Sequence, residues 1–274
     1  MKNYTLKNDQ YSSHLSGSIL KRIVINFDQL IHPHLIKKKK SIQFLYGHHI
    51  FKDEIENFKI ITSYLSNNFK IISYSEAVNI LKTGDIDDNY ICFSFDDGLK
   101  NCMRAAEHLN ELSISAMFFI NPEVVDKFDD EAYIQNHCKE NLHLLELDFM
   151  GWFDIDLLLK MGHEIGNHTL NHKRLSAIQP EEYNNQIIKS KEWIEKHAGK
   201  VKHFAWPYGL QKDVTPEAFK TAIQCGHESV VSAIRGQHFN ILNLKKDYII
   251  RDQIIFKDPL SSFKYFYNKA NQSR

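Results

Sequence analysis

The chain has 274 residues, and its 34 Lys and Arg are balanced by 34 Asp and Glu, giving zero formal net charge with His neutral. Apolar residues make up 43% and charged residues 25%, a globular composition that excludes wholesale disorder. The charge balance argues against a protein that coats a polyanion, and no stretch approaches the ~18 apolar residues of a membrane span.

Residues 1–40 read as an N-terminal extension. They hold one apolar run, Ile23-Val24-Ile25-Asn26-Phe27 (a strand or a helical turn), and a basic run from Lys37 to Lys40 that reads as a solvated turn or a contact for an anionic group. The polar start, Met1 to Ser18, has no apolar stretch of the secretory kind, so a cytoplasmic location is expected. Four cysteines at wide spacings, with no CxxC pair, read as reduced thiols, Cys92 as core.

From Ser41 on, short apolar runs alternate with amphipathic stretches. Ile42–Tyr46 reads as a buried strand and Glu54–Ser66 as a helix; Lys70–Tyr74 is strand-like, then a helix runs Ser75–Lys82 and stops at Gly84. A strand at Tyr90–Phe95, a helix at Lys100–Leu112 and a strand at Ser115–Ile120 follow. Residues 121–149 look like an inserted, less regular excursion. Beyond it come a helix at Asp154–Met161, the segment Gly162–His172, and a helix at Pro180–His197. A strand at Lys202–Trp206, a helix at Pro216–Cys225, a strand at Glu228–Ser232 and an apolar strand near Tyr248–Ile255 complete the series. Strands separated by helices predict a parallel sheet, open or closed into a barrel, with its chemistry beyond the carboxyl ends of the strands. The aromatic tail, Phe263 to Tyr267, packs on a neighbour or on its own barrel, and the oligomeric state is not legible.

Three segments at expected strand ends carry reactive side chains. Ser94-Phe95-Asp96-Asp97-Gly98 offers two adjacent carboxylates pointing apart, one for a metal and one for a proton, although Asp-Asp-Gly is also a turn and helix-cap sequence. In Gly162-His163-Glu164-Ile165-Gly166-Asn167-His168-Thr169-Leu170-Asn171-His172, His168 and His172 are four apart, which on a helical turn puts both imidazoles on one face; exposed loop histidines are the plain alternative. His163 reads as structural. In His203-Phe204-Ala205-Trp206-Pro207-Tyr208-Gly209, Pro207 fixes the backbone and leaves the Tyr208 N–H free to face a cleft, as an oxyanion donor would; a simple turn is the plain reading. One carboxylate and two imidazoles together make a three-ligand hydrolytic metal centre.

These three segments, in this order, resemble the motifs of the polysaccharide deacetylases, the NodB-type homology domain of carbohydrate esterase family 4. Trp152 sits where that family often has a Trp ahead of a helix, and Leu45-Tyr46-Gly47-His48-His49 is similar to its opening Tyr-His segment. The resemblance spans roughly Ile42 to Arg251 and implies an α/β fold, a distorted and incomplete (β/α) barrel over residues 41–274. It implies a metal-dependent hydrolase that removes an N-acetyl group from an amino sugar of a glycan or glycan precursor. By position, Asp97, His168 and His172 would bind a divalent metal, zinc foremost. Asp96 would be the base and Tyr208 the oxyanion donor, with Trp206, Pro207 and His49 against the substrate. Nucleic acid is not an expected partner.

Two departures stand out. Many members carry an Arg where this chain has Ala205, a variant more like the poly-N-acetylglucosamine branch; Arg251 either replaces that guanidinium or makes a surface salt bridge. No Leu-x-His motif supplies the general acid, leaving His238, His227 and His49 as candidates. Deformylation or another C–N hydrolysis, and a non-catalytic glycan-binding role, are the alternatives.

Overall fold

A computed structural model describes residues 6–9, 25, 39–239 and 248–272. The element expected at Ile23–Phe27 lies outside them except for Ile25, as do Lys37 and Lys38 of the basic run.

The strands in chain order are β1 (Ser41–Gly47), β2 (Lys70–Ile71), β3 (Asn89–Phe95), β4 (Ala116–Ile120), β5 (Glu164–Asn167), β6 (His203–Ala205), β7 (Ser229–Val231), β8 (His238–Phe239) and β9 (Asp252–Gln253). The helices are α1 (Ile55–Asn68), α2 (Tyr74–Thr83), α3 (Met103–Glu111), α4 (Pro122–Asp126), α5 (Glu131–His137), α6 (Trp152–Lys160), α7 (Ser190–Ala198), α8 (Pro216–Gln224) and α9 (Leu260–Gln272). The spatial order is β7-β6-β5-β4-β3-β1-β8, parallel throughout except that β8 runs antiparallel to the start of β1.

The segment after β8 closes the curl. Ile249 bridges Val231 at the β7 edge, and three residues later Asp252 and Gln253 pair with Leu45 and Tyr46 of β1. The sheet is therefore a curled, irregularly closed half-barrel, the distorted α/β barrel that the sequence implies. The long strand expected at Tyr248–Ile255 shrinks to β9 and one bridge, because these residues cross from one sheet edge to the other and pair with each only briefly.

Alternation along the strands divides the core in two. Ile42, Phe44, Cys92, Met117, Phe119, Ala205 and Val231 face the inside of the curl, which Tyr74, Ala77 and Val78 of α2 plug. Leu45, Phe93, Phe95, Phe118 and Ile120 face outward, under Phe58, Ile61 and Leu65 of α1, Leu109 of α3 and Leu158 of α6. Helix α2 starts where the Ser73 hydroxyl accepts the Glu76 N–H at 3.2 Å and stops at left-handed Gly84. Phe263 and Tyr267 of α9 join the outer core, so the aromatic tail packs on its own barrel.

Two expectations are corrected. Residues 121–149 are largely ordered: α4, α5 and a π-helical turn at Cys138–Leu142 pack Val124, Ile134, Cys138 and Leu147 against Phe51, Leu99 and Phe149. Helices of 5 and 7 residues are too short for a 3.6-residue period to show in sequence. The helix expected at Pro180–His197 is a 3₁₀ turn at Pro180–Glu182, a π-helical stretch at Asn184–Lys189, and α7. Residues 6–9 of the N-terminal extension touch the barrel: Arg104 donates to Asp9 at 2.6 Å, and the Asn8 amide donates to the Glu146 carbonyl at 2.8 Å.

Candidate metal centre and active site

The three reactive segments meet at the carboxyl ends of β3, β5 and β6. Asp97 Oδ1 lies 3.3 Å from His168 Nε2 and 3.3 Å from His172 Nε2, and all three side chains are buried. That oxygen makes no well-directed hydrogen bond, so it is a buried acceptor without a donor. One donor atom from each residue falls within 4.8 Å of the others, and no other such group exists among the described residues. His168 Nδ1 donates to the Ala205 carbonyl at 2.8 Å, which fixes the ring proton there and turns the Nε2 lone pair toward Asp97. An orphaned carboxylate oxygen and an imidazole lone pair turned toward it fit a divalent cation.

The spacing of the histidines works through a different geometry from the one expected. Thr169 (φ 67°) and His172 (φ 65°) are both left-handed, so the His168–His172 segment is a loop and not a helical turn. Side chains hold its shape. The Asn121 amide donates to the carbonyls of His168 and Thr169, the latter at 3.0 Å. Asn167 Oδ1 accepts from the Thr169 N–H at 3.0 Å, and Thr169 Oγ1 accepts from the His172 N–H at 3.1 Å. Asp97 (φ 72°) and Tyr208 (φ 62°) share the left-handed conformation, and strain of this kind persists only where the surroundings enforce it.

Burial alone would raise the Asp97 carboxyl, but His172 and His168 outweigh it and hold it well below the usual range. Burial likewise favours neutral imidazoles. It wins at His172, whereas contact with Asp97 raises His168 above its ordinary value.

Asp96 is clamped. Arg251 donates from Nη1 to Asp96 Oδ1 at 2.9 Å and from Nη2 to Oδ2 at 2.8 Å, a bidentate pair in which both residues are buried. The guanidinium is itself satisfied: Nε donates to the Ser232 carbonyl at 2.8 Å, Nη1 also to Ser94 Oγ at 3.1 Å, and Tyr46 covers its face at 4.4 Å. A surface salt bridge is therefore not what Arg251 makes. Burial would raise Asp96, but the Arg251 charge keeps its carboxyl below the usual range. Ala205 is fully buried in the inner core.

Pro207 is buried just before Tyr208, whose N–H has no acceptor among the described residues. The next residue must be glycine: Gly209 is left-handed at φ 70°, and a Cβ there would meet Ala233 Cβ at 2.2 Å. The Tyr208 ring lies 5.0 Å from that of His172 and under Arg174 at 3.9 Å, and its hydroxyl donates to the Asn141 carbonyl at 2.9 Å.

Trp206 departs from expectation. Its ring is 1% exposed, packs in the core of β6, β7 and α8, and donates from Nε1 to the Leu210 carbonyl at 3.0 Å, so it is not a sugar platform. His238 sits at the opposite end of the sheet, opposite Ile42, between the backbone groups of Ile250. His227 is buried under α8 against Phe204 and pushed down to about 4 by burial. Toward the site His227 reaches only Asn167, its Nε2 lying 3.4 Å from the Asn167 amide nitrogen, and neither ring is among the groups that act most strongly on Asp97. His49 does feel Asp97: its ring lies on Phe51 at 4.4 Å, and burial and neighbouring His48 push it down to about 4 against the pull of Asp97. His163 is structural, accepting from the Ala116 N–H at 3.1 Å and donating to the Ala106 carbonyl at 3.0 Å.

Two histidines near the site escaped the sequence reading. His48 acts electrostatically on Asp96, Asp97 and His172. Its signal was the strand period: residues 46 and 48 share a face, and the two rings lie 5.5 Å apart. His137 comes from α5, with its ring 6.4 Å from that of His172, and burial pushes it down to about 4. Nothing in the sequence places that helix against the His168–His172 loop.

Comparison with known proteins shows the family. The polysaccharide deacetylase profile matches residues 83–230, more than half of the chain. The chain belongs to the polysaccharide deacetylase family. A peptidoglycan-N-acetylglucosamine deacetylase of Bacillus cereus is 28% identical over 140 residues, covering 50% of this chain and 42% of that protein; a second match to a protein so named in the same organism is 39% identical over 74 residues, 27% of this chain and 33% of that protein. The chain thus aligns with less than half the length of these relatives. Among solved structures, Streptococcus pyogenes deacetylase PplD in complex with acetate superposes with a TM-score of 0.67 at 13% identity, over 85% of this chain and 99% of that one. IcaB from Ammonifex degensii gives 0.66 at 13% identity, over 84% and 97%. Both share the fold. Among the described residues no helix is long and apolar enough to cross a membrane.

Proposed function

We propose that the protein is a metal-dependent N-deacetylase of an amino sugar, with zinc held by Asp97, His168 and His172. The observation that carries this reading is the convergence of two buried imidazole nitrogens on one orphaned carboxylate oxygen, beside a second carboxylate that an arginine clamps. The names of the Bacillus cereus relatives support N-acetylglucosamine as the sugar.

A divalent cation bound there supplies positive charge to the amide carbonyl and acidifies a water. Asp96, ionised at neutral pH and oriented by Arg251, takes the proton from the attacking water. The Tyr208 N–H donates to the carbonyl oxygen as that atom gains negative charge, and its fixed position costs no reorganisation. His48, beside Tyr46 at the end of β1, is the proton donor for the leaving nitrogen; His49 turns onto Phe51, and burial, which pushes it down to about 4, leaves it without the proton at neutral pH. The C–N bond breaks, the water oxygen stays on the acetyl carbon, and the amine leaves protonated.

Acetate release from N-acetylglucosamine oligomers and from peptidoglycan tests the reading, with N-formylglucosamine oligomers as the competing substrate. Zinc-dependent acetate release is the expected result. Release of formate alone, or of nothing by zinc-loaded protein, would overturn it.

A further inference from the structure

The excursion between β4 and α6 contributes a buried histidine that no motif accounts for. His137 is 1% exposed, at the end of α5, between Tyr133, Phe149 and the metal loop. Asn141, one turn on, ties this segment to both sides of the site. Its side-chain amide nitrogen lies 2.9 Å from His137 Nδ1 and donates to the Asn171 carbonyl at 3.5 Å, while its main-chain carbonyl accepts the Tyr208 hydroxyl.

These bonds determine where the protons sit. The Asn171 carbonyl can only accept, so the Asn141 amide presents its nitrogen on that side and also donates to His137 Nδ1. The His137 proton is then on Nε2, a buried donor with no acceptor. His172 has the same defect. With its Nε2 turned to Asp97 as a ligand, its proton is on Nδ1, which is also buried and has no acceptor. Two buried N–H groups on adjacent rings would each be left without the partner that a buried donor needs. At a centroid separation of 6.4 Å the rings are too far apart for a direct bond and within the span of one water, whose oxygen can accept from both.

We propose that His137 is a positioning residue for the metal ligand His172, the two rings sharing one buried water that fixes the His172 ring with Nε2 facing the cation. The inference rests on the metal-site reading above. It makes the excursion, through His137 and Asn141, the support that joins the ligand loop to Tyr208.

The test is zinc affinity, measured by chelator competition on the full-length protein for wild type, His172→Ala, His137→Phe, His137→Leu and His137→Gln. His172→Ala should lose zinc, and His137→Phe and His137→Leu should each weaken it about 10–100-fold, as loss of a ligand's supporting hydrogen bond does. His137→Gln keeps an N–H donor and should stay within about threefold of wild type, since the supporting bond survives. If both apolar variants hold zinc as tightly as wild type while His172→Ala does not, the proposal is wrong and the metal site stands. Equal weakening by Gln and Phe would reduce His137 to a space-filling role and also overturn it. If His172→Ala itself holds zinc normally, the site reading fails first.

Discussion

Arg251 shows how one residue can supply what another position lacks. The chain has Ala205 packed in its inner core and instead brings a guanidinium to Asp96 from the crossing segment that closes the barrel. Lysine cannot reproduce a bidentate clamp with three further contacts. Arg251→Lys should therefore lower kcat/KM about 10–100-fold through misorientation of Asp96, with KM little changed, in steady-state deacetylation kinetics. Arg251→Ala should do more, because it leaves Asp96 charged and buried; a loss of about 3–5 kcal/mol in denaturant unfolding is expected. Wild-type kinetics in Arg251→Lys would show that the clamp is structural only. Sequence reading could nominate Arg251 but not place it, since the pairing spans 155 positions along the chain. His48 was legible from strand alternation and was passed over for its neighbour, while His137 carried no local signal.

At the scale of elements, what was readable depended on length and regularity. Strands β1, β3 and β4 announced themselves by their apolar runs, and α2 by its Gly84 stop, while its Ser73 cap fell inside the strand expected at Lys70–Tyr74. The short helices of the excursion and the π-helical stretch before α7 have too few turns to repeat a pattern. The ligand loop misled for another reason: the four-residue spacing of His168 and His172 suits a helix, but Asn121, Asn167 and Thr169 satisfy its backbone in a left-handed arrangement instead. Removing the Asn121 amide exposes that dependence. Asn121→Ala leaves two buried carbonyls unpaired and should cost about 1–3 kcal/mol of stability. Chemical denaturation is the check, and an unchanged midpoint would mean that the loop holds its shape without this support.

Over the whole molecule, the parallel sheet and the location of the chemistry at its carboxyl end followed from the alternation of strands and helices. How the curl closes did not, because β9 pairs through two residues only. That closure buries an acid on the outer face. Asp252, beside Arg251 in sequence, is pushed up to about 6, first by burial, with Arg235 and Gln43 pulling the other way. A carboxyl whose folded pKa exceeds its unfolded one binds its proton more tightly when folded, so its contribution is full below the unfolded value near 4 and is lost as pH rises to about 6. Asp252→Asn should therefore be more stable than wild type at pH 7, by about 1–3 kcal/mol, with the gap closing toward pH 4. Urea unfolding at both pH values checks this, and a gap that widened toward pH 4 would reverse the sign.

The central claim is that Asp97, His168 and His172 hold the ion on which deacetylation depends. The most direct measurement is bound zinc per protein together with acetate release from N-acetylglucosamine oligomers, for wild type, Asp97→Ala, His168→Ala and His172→Ala. The account predicts near-stoichiometric zinc and acetate release in wild type, and joint loss of both in each variant. Acetate release that survived in His168→Ala and His172→Ala, or wild-type activity that persisted with no bound metal, would contradict it.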